Sequence, residues 1–543
     1  MQQIVILSLV ASLASPLAAQ DHQHGDASRL GTVKFANSCS PEAQPAFAHG
    51  MALLHSFEFG PAIDAFKSVA GTDPSCAMAY WGMALAQWGN PFAAGTKAAA
   101  SLLPGREFID RAKALGAKTD RERGYINAVA ALYDRLETVD QRTRMLAYRD
   151  AMAAVAATHA ADTEASTFYA LSLAVCADPA DKTYADLLKG GAILEKLWKG
   201  QSDHPGIPHY IIHSYDVPAL ASRAVAAARK YGTIAPAAPH ALHMPSHTFT
   251  RLGYWQDSID TNILSAAAAR KAGSVYEELH ATDYQVYAYL QSGQDEAARR
   301  LVESLPDVLS RRNAVAGAAP PAAGSYALAA IPARYALERG DWALAARVEA
   351  RPSGVAYADA LTWFARAIGA ARLRDVATAR TAVDGLQGAI DRLGQGKEAY
   401  WVEQVTIQKL ASSAWLALAE GKTTEALTGM REAADREDRT EKAAVTPGPL
   451  APARELLGEM LVELQRPKEA LAEFQTTMAK EPNRFRALAG AAAAAAQTGD
   501  RALARNYYRQ LLTICAKADA PGRPELEAAR KATGRRSSTN RKD

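Results

Sequence analysis

DHPGIPHYIIHSYDVPALASRAVAAARKYGTIAPAAPHALHMPSHTFTR, residues 203–251, carries His204, His209, His213, His240, His243 and His247, six of the twelve histidines in the chain. His209 and His213 are four residues apart, and so are His243 and His247, which puts each pair on one face of a helix. The second pair follows the first by 34 residues at both members. Thirty-four residues is the period of a repeated helix–turn–helix unit. If such units stack, neighbouring helices bring the four imidazoles to one seam.

The rest of the chain reads the same way. Alanine is abundant, aromatics are few and β-branched runs are scarce, so an all-α chain is expected. Gly50, Ala62, Phe66 and Pro74 fit the small, small, aromatic and terminal-proline positions of a tetratricopeptide unit. A second unit follows from Ala77, with Tyr80 and Ala84 in phase. Residues 104–200 carry helical periodicity without a strict repeat. Gly340-Asp341-Trp342 and Arg374-Asp375-Val376 mark turns 34 residues apart, and Gly421, Pro467 and Gly499-Asp500 mark more. In the unit from Ala451, Leu457, Gly458, Ala470, Phe474 and Pro482 fit all the main positions. The next begins at Phe485, with Ala504 and Tyr508 in phase. The predicted fold is a tetratricopeptide-type helical solenoid in two lobes. Its divisions are a signal peptide at 1–19, a flexible tail at 20–34, a histidine-bearing domain at 35–312, a Pro/Gly/Ala linker at 313–325, a repeat array at 326–520 and a basic tail at 521–543.

IVILSLVASLASPLAAQ near the start is an apolar run ending in small residues, and reads as a secretory signal cleaved near Ala19. A periplasmic or secreted location follows. No later run is long enough for a membrane span. The net charge of +3 over 543 residues gives no global field for nucleic acid or an anionic membrane, and neither is expected as a partner. Export permits disulfides. Cys39 and Cys76 flank one predicted hairpin whose outer ends lie together, so a bridge fits there and contributes roughly 3 kcal/mol by loop entropy. Cys176 and Cys515 read as small buried apolar residues.

A repeat array by itself is a scaffold whose concave groove takes a peptide or partner protein. The histidines are the departure from that. Neutral imidazole suits zinc, copper, iron and nickel. Four imidazoles would close a structural site, and three would leave a position open for chemistry. Pro208 fits the first turn of a helix carrying His209 and His213. Asp216 follows, as a further ligand or as an acceptor for a ligand's ring N–H. Pro245 breaks the second pair: either the helix starts there and His243 lies just outside it, or the helix is kinked. His240 could then replace His243. A third segment adds His280, with Glu277, Glu278 and Asp283. His55 and Glu58 could face the same concavity. The expected metal ligands are His209, His213, His243, His247, His280 and Asp216. The expected metal is a divalent transition ion, zinc or copper first, iron or manganese next. Met244 would suit reduced copper. No nucleophile elbow, phosphate loop, dinucleotide fingerprint or HExxH motif is present. Any catalysis would run through the metal, with Asp216, Glu277 or Tyr215 carrying protons.

The blocks MALLHSFEF, CAMAYWGMALAQWGNP, HYIIHSYD, HALHMPSHTFTRLGYW and EELHATDYQVYAYLQ resemble a family of exported bacterial tetratricopeptide-repeat proteins. The resemblance spans roughly residues 35–310. It implies the fold and export, and no reaction. It places His55, His209, His213, His243, His247 and His280 inside the family's blocks.

Overall fold

A computed structural model describes residues 29–93, 95–396 and 398–534. The expected signal segment, His22, His24 and the last nine residues of the basic tail lie outside the described residues. Every regular element among the described residues is helical. Successive helices pack antiparallel as hairpins, and the hairpins stack into a solenoid of tetratricopeptide type.

The repeat turns explain themselves locally. Gly340, Arg374 and Gly499 take positive φ angles of 65°, 60° and 88°, and each ends a helix. The aspartate after each one caps the next helix: Asp341, Asp375 and Asp500 accept from the backbone N–H groups of Leu344, Thr378 and Leu503. These caps satisfy N–H groups that the helix itself cannot.

The packing repeats as well. Phe66 lies between Gly50 and Gly82, and Phe474 lies between Gly458 and Gly490, each neighbour sixteen residues away. A Cβ on Gly82 would stand 2.6 Å from the Phe66 ring, and one on Gly490 would stand 2.3 Å from the Phe474 ring. The ring of each second helix is thus clamped by helices of its own and the following hairpin. Both phenylalanines are fully buried.

Two large cores result. One spans residues 30–249 together with Ala318, and the other spans 326–494. The helix Val275–Gln291 runs between them, buried along nearly all its length. It packs against Trp255–Ala272, Pro321–Glu338 and Phe485–Gln497. Buried arginines tie the lobes across it. Arg484 reaches Glu338 and Glu455 at 2.8 Å and the Tyr287 hydroxyl at 2.9 Å. Arg334 pairs with Asp283 at 2.9 Å and donates to Thr446 Oγ1, the Gly448 carbonyl and the Pro449 carbonyl. Trp255 Nε1 donates to the Asn483 carbonyl at 2.8 Å. The solenoid therefore curls until its C-terminal repeats return to the histidine-bearing helices.

Three expected boundaries shift. Residues 29–34, expected in a flexible tail, are tied down: Thr32 N–H donates to the Asp203 carbonyl at 2.9 Å, and Leu30 and Val33 are buried. The linker expected at 313–325 is ordered and partly helical. Pro321 opens the helix Pro321–Glu338, because a proline at the first turn has no N–H to leave unsatisfied. The basic tail is not wholly a solvated end. The helix Pro524–Thr533 docks through Leu526 and Ala529, and Arg523 pairs with Asp295. Its basic residues mask an apolar face at helical spacing. A disulfide joins Cys39 to Cys76, and Cys176 and Cys515 are buried and free.

Substitution Gly490→Ala separates two effects. Helix propensity alone would stabilise the protein by about 1 kcal/mol. The contact with Phe474 should win, and thermal unfolding followed by circular dichroism should show a lower Tm. A raised Tm would mean the clamp has slack.

Candidate metal centre

Three short helices and the central helix deliver six histidines to one place. Gly206–Ser214 supplies His209 and His213 on one face. Pro239–His243 supplies His240 and His243, and Pro245–Leu252 supplies His247. The helix begins at Pro245, so His243 sits on the preceding short helix, and His240 joins it rather than replacing it. His280 comes from the central helix Val275–Gln291. All six are at most 7% exposed.

The six fall into two groups of three, not one group of four. In His209–His213–His240, and again in His243–His247–His280, one nitrogen from each ring lies within 4.8 Å of the others. Ring centroids within the groups are 4.4 to 5.1 Å apart for four pairs. Between the groups, His213–His247 and His240–His243 stand at 6.0 Å.

Hydrogen bonds fix which nitrogen is free. His209 Nδ1 meets the His55 carbonyl at 2.7 Å, and a carbonyl only accepts, so Nδ1 carries the proton. His243 Nδ1 meets Asn262 Oδ1 at 2.7 Å. The amide is oriented by its Nδ2, which donates to the Ser258 carbonyl at 2.7 Å. His247 Nδ1 donates to Asp216 Oδ2 at 2.9 Å. In all three rings the lone pair therefore lies on Nε2. His209 Nε2, His213 Nε2 and both ring nitrogens of His240 are buried without a hydrogen-bond partner. Such orphans are rare and costly in a protein interior.

The sharpest feature is His243 Nε2 against His247 Nε2 at 3.1 Å. With both protons committed to Nδ1, two lone pairs face each other. Two imidazoles on one tetrahedral ion would hold their nitrogens about 3.3 Å apart at metal–nitrogen distances of about 2.0–2.1 Å. A shared proton is a poor substitute. Burial pushes His247 down to about 4, although Asp216 pulls the other way, and burial with His280 alongside pushes His243 well below its ordinary range. Burial also lowers His280 to about 3, and lowers His209 and His213 well below the usual imidazole value, with neighbouring histidines adding to it. These five rings are held as neutral donors.

Asp216 was expected among the ligands, and the structure gives it the other part. Its carboxylate accepts from His247 Nδ1, from Arg251 Nε at 2.8 Å and from Lys442 Nζ at 3.3 Å. Burial would raise its pKa, but Lys442 and Arg251 outweigh that and hold it well below the carboxylate range. Burial brings Lys442 down to about 8. Asp283 Oδ1 pairs with Arg334, Glu278 with Arg270 and Arg311, and the Tyr215 hydroxyl with Glu195, and among the described residues no hydrogen bond or ion pair joins any of them to the six rings. Glu277 approaches the rings: its Oε2 is 3.8 Å from His240 Nδ1. Glu58 Oε1 accepts from the His240 backbone N–H at 3.4 Å, and burial next to Glu277 raises Glu58 to about 8.

A cavity of about 50 Å³ opens onto His213, His240, His247 and His280. That is space for one or two waters. Phe92, stacked on His213 at 3.9 Å, walls it on one side, with Ala318–Ala319 and Ala444–Val445 on others. The connector before Pro321 thus roofs the site. Its Ala319 N–H donates to Glu277, and Asn90 Nδ2 holds the Ala318 carbonyl at 3.1 Å.

His55, Glu164 and His204 form a further group; the sequence reading named both histidines but neither Glu164 nor their meeting. The group is closed. Glu164 takes His55 Nε2 at 2.9 Å and His204 Nε2 at 2.7 Å. His55 Nδ1 meets the Tyr210 hydroxyl, and His204 Nδ1 accepts from the Gly206 N–H. No ring nitrogen is left over. The group's part is to hold the His55 carbonyl under His209. Asn262 was also missed; Ser258, Asn262 and Ser265 form a polar stripe at helical spacing that could have revealed it.

No protein-family model and no curated protein sequence matches the chain. Among solved structures, it is similar to a human IFIT1 dimer with m7Gppp-AAAA, at 10% identity and a TM-score of 0.38, covering 81% of this chain and 90% of that one. A monomeric IFIT1 mutant with m7Gppp-AAAA gives 9% identity and a TM-score of 0.38, over 85% and 95% of the two chains.

Glu164→Leu keeps the volume and leaves two buried imidazole N–H groups unpaired. It should cost about 3–5 kcal/mol, as breaking a buried ionic group does, in urea unfolding at pH 7. A loss under 1 kcal/mol would mean the histidines find other partners.

Proposed function

We propose that this chain is an exported repeat protein that binds a transition metal through its buried histidine cluster. The observation that carries the reading is the pair of facing lone pairs on His243 and His247, with unpartnered imidazole nitrogens beside them. Interior polar groups without partners are costly, and a cation in their midst removes the cost at once. The outer partners support it: a carbonyl, an amide oxygen and a carboxylate each hold a ring Nδ1–H, the arrangement that orients histidine ligands. An all-nitrogen donor set favours zinc or copper over manganese. The cavity on one side of the rings leaves room for a small molecule at an open coordination position. The Cys39–Cys76 bridge suits the periplasmic or secreted location that the apolar start of the sequence implies.

A second reading is capture of a peptide in the groove of the C-terminal repeats. Tyr357 and Trp401 stack there at 3.9 Å, and Gln404 Nε2 and Gln408 Oε1 are buried without partners.

Elemental analysis of the full chain, purified without a polyhistidine tag, tests the first reading. Stoichiometric metal is expected, and its loss in His213→Ala combined with His247→Ala while the helical signal is retained. A metal-free protein that stays so after incubation with zinc and copper salts would overturn it and leave the groove as the functional feature.

A further inference from the structure

The six histidines divide in a way that a single ion does not explain. Each group of three has its own compact set of nitrogens, and the groups share no nitrogen. One ion with six imidazoles would need all six donors at about 2.0–2.1 Å from one point. The ring centres of His213–His247 and His240–His243, across the groups, are 6.0 Å apart, while four of the six pairs inside the groups stand at 4.4–5.1 Å. Yet the groups are not independent. His213 and His240 from one, and His247 and His280 from the other, line the same small cavity. Two centres that open on one space can share a ligand there.

Charge narrows the occupant. Imidazole ligates a metal as the neutral ring, so the six donors would bring no charge of their own. Asp216 is already matched by Arg251 and Lys442, so it offers little compensation. Glu277 is the carboxylate with an uncommitted buried oxygen beside the cluster. Two divalent ions would bring four positive charges into this interior, against that one carboxylate. Two monovalent ions would bring two. In a low-dielectric site each surplus charge is expensive. Reduced copper is the biological transition ion that is monovalent, and it accepts three imidazoles without a fourth ligand.

From these observations we infer that the cluster is a two-ion centre for reduced copper. His209, His213 and His240 hold one ion, His243, His247 and His280 hold the other, and the cavity between them is the shared open position. The inference rests on the metal-binding reading above and narrows it. Glu277 is assigned the role of balancing charge beside His240.

The test is an anaerobic titration of the full chain, without tag, using copper(I) presented by a competing chelator and no thiol. The wild-type protein should take up two copper ions per chain. His209→Gln with His213→Gln should take up one, and so should His243→Gln with His247→Gln; the four-residue variant should take up none. Glutamine keeps a hydrogen-bonding group of similar reach, and circular dichroism reports whether each variant is folded. Should a pair variant fail to fold, the wild-type stoichiometry decides alone. One ion per wild-type chain would overturn the two-ion centre and leave the metal-binding reading standing. None, with zinc or copper, would overturn both. In a competition, ten-fold excess zinc should leave the copper in place, and displacement of copper would overturn the assignment of the ion.

Discussion

Two imidazole lone pairs aimed at each other across 3.1 Å are the constraint around which this molecule is arranged. Left to themselves, His243 and His247 would rotate or exchange tautomers to put a proton between them. They are prevented from outside. Asn262, itself fixed by the Ser258 carbonyl, claims the proton of one ring, and Asp216 claims that of the other. Asp216 in turn stays ionised because Arg251 and Lys442 flank it. The repulsion is thus built in by neighbours whose own bonds are favourable.

The solenoid supplies what short helices cannot. Gly206–Ser214, Pro239–His243 and Pro245–Leu252 are brief elements with prolines at or near their starts, and alone they would not hold six rings in place. The central helix Val275–Gln291 backs them, and the returning C-terminal repeats close over them. Lys442 comes from more than two hundred residues beyond Asp216 and still reaches it. Arg334 holds the segment at 446–449 that adjoins the roof residues Ala444 and Val445. The connector 313–320 covers the remaining side. The repeat architecture here turns an ordinarily open groove into a small, partly covered cavity.

Much of this was legible in the sequence. The 34-residue periodicity of glycine, aromatic and proline positions gave the helical repeats, because each position answers to a close helix contact or a helix end. The two histidine pairs gave four of the six rings through their four-residue spacing, and a third segment added His280. What failed to show was of another kind. Asp216 looks like a ligand because its type is right, but its neighbours Arg251 and Lys442 come from distant segments and commit it elsewhere. His240 was passed over as an alternative to His243, because the break at Pro245 makes two short helices that present both. Glu164 pairs with His55 across more than a hundred residues, and no local pattern encodes that. The 313–325 stretch reads as a linker by composition, while its order comes from Asn90, Gly60 and Glu277 on other elements.

X-ray absorption at the edge of the metal retained by the full chain addresses the central claim most directly. It should show a first coordination sphere of nitrogen alone, about 2.0 Å away, with the outer scattering of imidazole rings. A sphere dominated by oxygen or sulfur would place the metal elsewhere on the chain and contradict the assignment of the histidines as its ligands.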